Sequence, residues 1–261
     1  MLAKAASLGA DAIVLDLEDS VPPAEKALAR ERVTATLARW PSDGPAPFVR
    51  IRPPSADGLA DDIRVILTHT GAGVVVPKVD RPDELAQVIE MLDGTRDVIV
   101  NIETPRSLLH AEAFADLDGV TGLFLGGEDF TNALGARRTP EGHELDWARQ
   151  MVLLAARAAG IDAYDTICPE FRDLATLAAD CNNAAAMGYD GKFAIHPAQI
   201  PVIHEAFTPS DEEIGRARRI VEAFDAAVAR GEGAVAVDGQ MVDPPVAERA
   251  RSLISRAKPG R

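Results

Sequence analysis

Charged side chains stand at the ends of most of the short apolar runs in this 261-residue sequence. In chain order they are Asp16, Glu18, Asp19, Arg50, Arg52, Lys78, Glu103, Glu128, Asp129, Asp165 and His196. In barrels of parallel strands, all carboxyl ends of the strands share one face, and this face carries the active site. We therefore expect these side chains to meet in one catalytic mouth.

Glu103 and Asp129 are the most informative pair. They follow successive runs, so their strands are expected to be neighbours about 4.8 Å apart, with both carboxylates in the mouth. Two carboxylates without a histidine or cysteine cluster suit a hard cation such as Mg²⁺ or Mn²⁺. Ion pairs with Arg50 or Lys78 are the alternative, and spacing alone leaves both open. The five histidines form no His-x-x-x-His pair, which disfavours zinc.

Several other classes of protein are disfavoured. The formal net charge of −14 would repel nucleic acid. The sequence contains no dinucleotide fingerprint, Walker motif or nucleophile elbow, and no run approaches the roughly 18 apolar residues of a membrane span. Cys168 and Cys181 form no Cys-x-x-Cys motif and the first residues lack a secretion signal, so we expect a cytoplasmic protein.

Apolar runs alternate with amphipathic stretches, a pattern typical of buried parallel strands joined by helices. Strands are expected at residues 12–17, 48–52, 74–79, 98–102, 122–125, 161–167 and 192–195. Helices are expected at 24–38, 58–69, 82–92, 105–116, 145–159 and 170–187. This alternation predicts an α/β fold, a (β/α)₈ TIM barrel. Only seven strands are found, so either the first strand of the barrel is missing from this numbering, which we expect, or the barrel is broken.

The alternation stops after residue 207. We predict a barrel domain at 1–207 and a C-terminal extension at 208–261 that packs on the barrel or on a neighbouring subunit. Ser210 and Glu213 have the spacing of a helix capping box. A hairpin around Asp238-Gly239 and a helix at 245–257 are expected to follow.

The ordered motifs resemble the citrate lyase β-subunit-like branch of CoA-ester lyases in the HpcH/HpaI aldolase family. The resemblance covers nearly the whole chain. The matching segments are Leu15-Asp16-Leu17-Glu18-Asp19-Ser20-Val21 with Lys26 and Arg30, Val49-Arg50-Ile51, Val76-Pro77-Lys78-Val79, Ile102-Glu103-Thr104, Gly127-Glu128-Asp129, Gly191-Lys192, and residues 195–199, 207–210 and 237–245.

The resemblance implies a Mg²⁺-dependent carbon–carbon lyase, with Mn²⁺ as a possible substitute. Its substrate would be a 3-hydroxy-3-carboxyacyl thioester such as malyl-, citramalyl- or citryl-CoA, cleaved into or formed from a 2-keto acid and an acyl-CoA. A metal-dependent pyruvate aldolase, a malyl-CoA-type thioesterase, and a non-catalytic subunit that acts only within a complex are the alternatives.

The resemblance also assigns roles to residues. Glu103 and Asp129 would bind the metal, and Arg50 the keto-acid oxygen, with Glu18 and Asp19 orienting Arg50 and nearby waters. Lys26, Arg30 and Lys78 would bind the CoA phosphates. Asp243 would act as an acid/base in the active site of a neighbouring subunit, which implies a homotrimer or hexamer.

Two departures from the family pattern affect these expectations. The family normally begins with a strand and an Arg-Ser…Pro-Gly segment, which this numbering lacks. Arg52 stands where the family often has asparagine. Its extra positive charge predicts a preference for an additional substrate carboxylate or phosphate.

Overall fold

The structure, a computed structural model, describes residues 2–139 and 141–257. The chain divides into two compact units, one ending at Ile203 and the other starting at His204. The last four residues of the predicted C-terminal extension, 258–261, lie outside the described residues.

Seven parallel strands form one curled sheet in the first unit, in which each strand pairs with its neighbours in sequence. They are β1 (Ala12–Asp16), β2 (Ala46–Arg50), β3 (Gly73–Val76), β4 (Val98–Ile102), β5 (Val120–Leu125), β6 (Asp162–Asp165) and β7 (Gly191–Lys192). This half-barrel confirms the α/β fold, and the strands fall where the sequence predicts them. Among the described residues, β1 and β7 do not pair with each other.

An apolar layer fills the inside of the half-barrel. Its buried centre is Phe48, Val75, Ile99 and Phe124, and it is extended by Val14, Tyr164, Ile167 and Phe193. Because side chains on a strand alternate between faces, the next inward positions on β1, β2 and β4 are Asp16, Arg50 and Asn101. Polar side chains therefore lie directly above the apolar layer, at the carboxyl ends of the strands.

The helices of the first unit follow the strands in order. They are α1 (Lys26–Leu37), α2 (Leu59–Leu67), α3 (Pro82–Met91), α4 (Pro105–Leu109), α5 (Ala111–Ala115), α6 (Gly127–Ala133), α7 (Asp146–Ala159) and α8 (Leu174–Met187), with α9 (Ile200–Phe207) crossing into the second unit. The helix expected at 105–116 is broken at His110, and α6 and α9 have no predicted counterpart. No helix in the described part of the chain is both long and apolar enough to cross a bilayer.

Asp165 does not join the mouth, although the sequence groups it with the mouth residues. Its neighbour Tyr164 packs inward, so Asp165 faces the helices. It accepts hydrogen bonds from Nε and Nη2 of Arg149 and from Nζ of Lys192 at 2.8, 2.5 and 2.6 Å. Asp180 pairs with the same two cations. These four residues, the ion quartet, balance two positive charges against two negative ones between α7, α8 and the sheet.

The second unit consists of α10 (Asp211–Ala229), β8 (Val235–Val237), β9 (Gln240–Val242) and α11 (Pro244–Arg256). Ser210 and Glu213 form the predicted capping box. The hairpin turns at Asp238 and Gly239, both with positive φ, as a two-residue loop between twisted strands requires. Phe224, Val242 and Ala247 form its buried core. The predicted helix, hairpin and helix are therefore present, and how the extension packs stays a prediction.

Candidate active site

Arg50 is held by acids from β1 and from the loop after it. Its Nε and Nη2 donate to the two carboxylate oxygens of Asp16 at 2.8 and 2.6 Å, and its Nη1 lies 3.5 Å from Oε2 of Glu18. Asp16 also accepts from the backbone N–H groups of Glu18 and Ser20. Burial alone would raise the pKa of Asp16, but Arg50 outweighs it and lowers this pKa to about 2. The guanidinium is thus fixed, while about a quarter of the Arg50 side chain stays exposed.

Lys78 ties the loop after β1 to the end of β3. Its Nζ donates to Oε1 of Glu18 and Oδ2 of Asp19, both at 2.6 Å. Burial opposes the charged form, but these acids raise the pKa of Lys78. Its backbone is left-handed, with φ of 49°, and the amide donates to Oε2 of Glu103 at 3.0 Å. Lys78 therefore holds three acids, two through its ammonium group and one through its backbone.

Glu103 is buried, with 3% of its surface exposed. Its Oε1 accepts a hydrogen bond from Nδ2 of Asn101, two residues earlier on β4. Directly after Glu103, the hydroxyl of Thr104 caps α4 by accepting from the backbone N–H of Ser107, and Ser107 Oγ in turn accepts from the backbone of Glu103 and Thr104. These contacts fix the turn that aims the Glu103 carboxylate into the mouth.

The sequence predicts Asp129 at the end of a strand, but the structure places it in the first turn of α6. Burial, and then the negative charges of Asp129 and Glu18, raise the pKa of Glu103 to about 8. No hydrogen bond or ion pair joins the side chain of Asp129 to another described residue. The structure therefore places Asp129 where its charge acts on Glu103, and it gives Asp129 no cationic partner among the described residues.

The donor set fits a hard divalent cation. Oε2 of Glu18 and Oδ1 of Asn101 are buried oxygens without a hydrogen-bond partner. Within the described residues, no group of three or more His, Cys, Asp or Glu side chains surrounds one point. An ion held by Glu103 and Asp129 would therefore keep coordination positions for water or substrate, as Mg²⁺ usually does. Metal binding by this pair stays a prediction.

Most of the cationic side chains assigned to the CoA phosphates already donate hydrogen bonds to oxygen atoms of the protein. Lys26 Nζ donates to the carbonyl oxygens of Leu17 and Glu18 at 2.7 Å, and Lys78 holds the acids named above. A cavity of about 450 Å³ is lined by Lys26, Arg52 and Lys78, together with Glu18 and Asp19. Phosphate binding here would therefore have to use their remaining donors.

Arg30 and Arg52 share a buried acid. Arg52 Nε donates to Oδ2 of Asp62 at 2.8 Å, and Arg30 Nη1 to Oδ1 at 3.2 Å. Asp62 thus offsets the extra positive charge that the sequence assigns to Arg52. Arg30 lines a separate groove between α1 and α2 and not the cavity beside Lys78.

Asp243 belongs to the second unit. Its carboxylate caps α11 by accepting from the backbone N–H of Val246 at 3.2 Å. Its action as an acid/base in a neighbouring subunit stays a prediction.

Three residues of the site have no role in the sequence-based assignment, although Asp16 is expected in the mouth. Asp16 holds Arg50, Asn101 holds Glu103, and Thr166 accepts from the backbone N–H of Gly127 at 3.0 Å. Strand alternation gives a signal for the first two, because both follow an inward apolar residue by two positions. Nothing in the sequence marks Thr166.

A half-barrel of parallel strands with charged side chains gathered at the carboxyl ends of the strands has the arrangement of a barrel enzyme. Residues 1–197 match the model of the HpcH/HpaI aldolase/citrate lyase family, and the chain belongs to this family. The resemblance found in the motifs is thereby confirmed, and the family supports a lyase-type enzyme.

Relatives match along nearly the whole chain. A citrate lyase subunit beta-like protein of Deinococcus radiodurans is 38% identical over 98% of this chain and 92% of its own length. A (3S)-malyl-CoA thioesterase of Cereibacter sphaeroides is 33% identical over 98% of this chain and 90% of its own. The crystal structure of CitE from Mycobacterium tuberculosis in complex with magnesium, acetoacetate and coenzyme A has a TM-score of 0.81 at 36% identity. The match covers 98% of this chain and 92% of the mycobacterial chain.

Proposed function

We propose that this chain is a Mg²⁺-dependent carbon–carbon lyase. Its substrate is a 3-hydroxy-3-carboxyacyl thioester such as malyl-, citramalyl- or citryl-CoA, which it cleaves into, or forms from, a 2-keto acid and an acyl-CoA. The observation that carries the proposal is that the start of α6, which carries Asp129, packs directly against the buried side chain of Glu103. Burial, and then the negative charge of Asp129, raises the pKa of Glu103 to about 8. The magnesium, acetoacetate and coenzyme A in the mycobacterial relative support it.

Each residue has a defined task in this reaction. Glu103 and Asp129 hold the Mg²⁺, which when bound acts as a Lewis acid and eases loss of the substrate hydroxyl proton. Arg50, already fixed by Asp16, binds the keto-acid oxygens with its exposed edge. Planar guanidinium groups suit such bidentate recognition. Glu18 and Asp19 orient Arg50 and the waters beside the ion.

Cleavage breaks one carbon–carbon bond of the substrate. The hydroxyl at carbon 3 loses its proton to water, and the bond between carbons 2 and 3 breaks. Carbon 3 becomes the carbonyl carbon of the 2-keto acid, while the electron pair goes to carbon 2 of the thioester. Carbon 2 then takes a proton, which we assign to Asp243 of a neighbouring copy in a homotrimer or hexamer. In the reverse direction Asp243 removes this proton.

Lys26 and Lys78 line the cavity beside the mouth and are assigned to the CoA phosphates, with Arg30 as a more distant candidate. Arg52 lines the same cavity and is assigned to an additional substrate carboxylate or phosphate. This proposal requires the remaining donors of these cations, because each already holds an oxygen of the protein.

Hydrolysis of the thioester is the second candidate reaction, favoured by the malyl-CoA thioesterase among the relatives. A panel of 3-hydroxyacyl-CoA esters, incubated with the protein and Mg²⁺ or EDTA, separates the two. A lyase releases a 2-keto acid and leaves the CoA thiol acylated, whereas a thioesterase releases free thiol. Keto acid formed only with Mg²⁺ is the expected result.

Other outcomes of this panel would overturn the proposal. Thiol release without keto acid would make the chain a thioesterase. Turnover of free hydroxy keto acids but not of CoA esters would make it a pyruvate aldolase. No turnover until other subunits are added would indicate a subunit that acts only within a complex.

A further inference from the structure

Helix α6 carries Asp129 but has no capping side chain of its own. Its N-cap residue is Gly126. The first amide of the helix, that of Gly127, is buried and donates to Oγ1 of Thr166 at 3.0 Å. Thr166 directly follows β6 and is 2% exposed. The acceptor for the first N–H group of α6 therefore comes from the residue that follows the neighbouring strand.

Close contacts on two sides leave the start of α6 little room to move. A Cβ atom added at Gly126 would overlap Cγ of Glu103. A Cβ atom added at Gly127 would lie 2.5 Å from Oγ1 of Thr166 and 2.7 Å from a methyl group of Leu145. The first turn of α6 is thus packed between the side chain of Glu103 and the hydroxyl group of Thr166.

We infer that Thr166 is a positioning residue for Asp129, an inference that rests on the proposed function. A buried N–H group without an acceptor is costly, so loss of the Thr166 hydroxyl favours a shift or fraying of the first turn of α6. Asp129 is the third residue of this turn, and Glu103 is held separately by β4. Mg²⁺ demands nearly ideal octahedral geometry, so a small displacement of one ligand weakens binding.

Three variants test this role. Thr166→Val keeps the shape of the side chain and removes the acceptor, whereas Thr166→Ser keeps the hydroxyl. Thr131→Val is the matched control. Thr131 is equally buried, in the same helix, and its hydroxyl donates to the Gly127 carbonyl at 2.7 Å. Loss of the Thr131 hydroxyl leaves no backbone N–H group without an acceptor.

Two measurements are made on each purified protein. Mn²⁺ binding by electron paramagnetic resonance reports the metal site. Hydrogen exchange of the Gly127 amide, followed by NMR without metal, reports the hydrogen bond to residue 166. We expect Thr166→Val to bind Mn²⁺ about tenfold more weakly, the lower range for altered support of a metal ligand. Thr166→Ser and Thr131→Val should bind like wild type, and only Thr166→Val should lose protection at Gly127.

Unchanged Mn²⁺ binding in Thr166→Val would overturn the inference, as would a Gly127 amide that exchanges in wild type at an unprotected rate. The wild-type exchange measurement can overturn the inference even if Thr166→Val fails to fold. A wild-type protein that binds no Mn²⁺ would overturn the proposed function, and the positioning of Asp129 for metal with it. Weakened binding in Thr131→Val equal to that in Thr166→Val would show general loosening of α6 and would also overturn the inference.

Discussion

Asp16 and Arg50 are register partners at the carboxyl ends of β1 and β2, and two hydrogen bonds of 2.8 and 2.6 Å join their side chains. The pair is formed before any substrate arrives. Binding a substrate oxygen therefore costs little further side-chain ordering, which is the advantage of a preorganised site. Asp16 thus acts on the substrate only through Arg50.

We expect this pair to stabilise the fold at neutral pH and to lose its effect in acid. Burial opposes the charged form of Asp16, yet Arg50 lowers its pKa from 3.8 to about 2. The contribution, roughly 2 kcal/mol, is present above the unfolded value of 3.8 and disappears as the pH falls towards 2. Urea unfolding of wild type and Asp16→Asn from pH 7 to 3 should give free energies that converge in acid. A difference independent of pH would contradict this.

Glu103→Gln and Asp129→Asn should each abolish Mg²⁺ binding and turnover, because each removes one of the two charged ligands that we propose for the ion. Isothermal titration with Mg²⁺ and assays of keto-acid release measure the two effects. Glu112→Gln and Asp118→Asn are matched controls, since both acids are exposed in the same unit. Retained metal binding in Glu103→Gln would show that the ion, if any, lies elsewhere.

Gly126→Ala should weaken metal binding although it adds a single methyl group. The φ of Gly126 is −80°, so alanine is acceptable to the backbone, but its Cβ would overlap Glu103. Overpacking of this kind costs about 1–3 kcal/mol. Urea unfolding and Mg²⁺ titration should both show a loss. Gly233→Ala is the control, because nothing lies within 4 Å of its added Cβ atom. Equal behaviour of the two variants would disprove the clash.

The ion quartet should be essential for stability and not for chemistry. Lys192→Met leaves Asp165 and Asp180 with one cation instead of two, at a cost of about 3–5 kcal/mol for a broken buried pair. Combining it with Asp180→Asn restores the charge balance and should recover part of the loss. Urea unfolding measures both effects, and turnover per folded molecule should not change. A loss below about 1 kcal/mol, the range of exposed pairs, would refute this.

Local sequence patterns predict the strands well, because buried parallel strands need continuous β-branched runs such as 98–102. They also predict that Glu103 and Asp129 share the mouth, since this follows from strand order. They miss α6, because its residues, including Glu128, Asp129 and Asn132, lack an apolar stripe. They misplace Asp165, because charge at a strand end does not reveal the face on which the side chain lies.

The partners of the charged residues cannot be read from the sequence. From the sequence, Lys26 and Arg52 are candidate phosphate ligands. In the structure, backbone carbonyl oxygens accept from Lys26 and the buried Asp62 accepts from Arg52. Thr166 is invisible for the same reason. Its hydrogen bond spans 39 residues, and only the folded sheet brings its hydroxyl to the start of α6.

The left-handed backbone of Lys78 limits how this position can vary. Glycine would relax the main chain but would release Glu18 and Asp19, while a β-branched residue would satisfy neither requirement. Arginine is the one natural replacement that retains a permanent positive charge, and its broad fork does not reproduce a compact ammonium group. Random mutagenesis with selection for turnover should therefore recover almost no substitutions at residue 78, even though a third of its side chain is open to solvent.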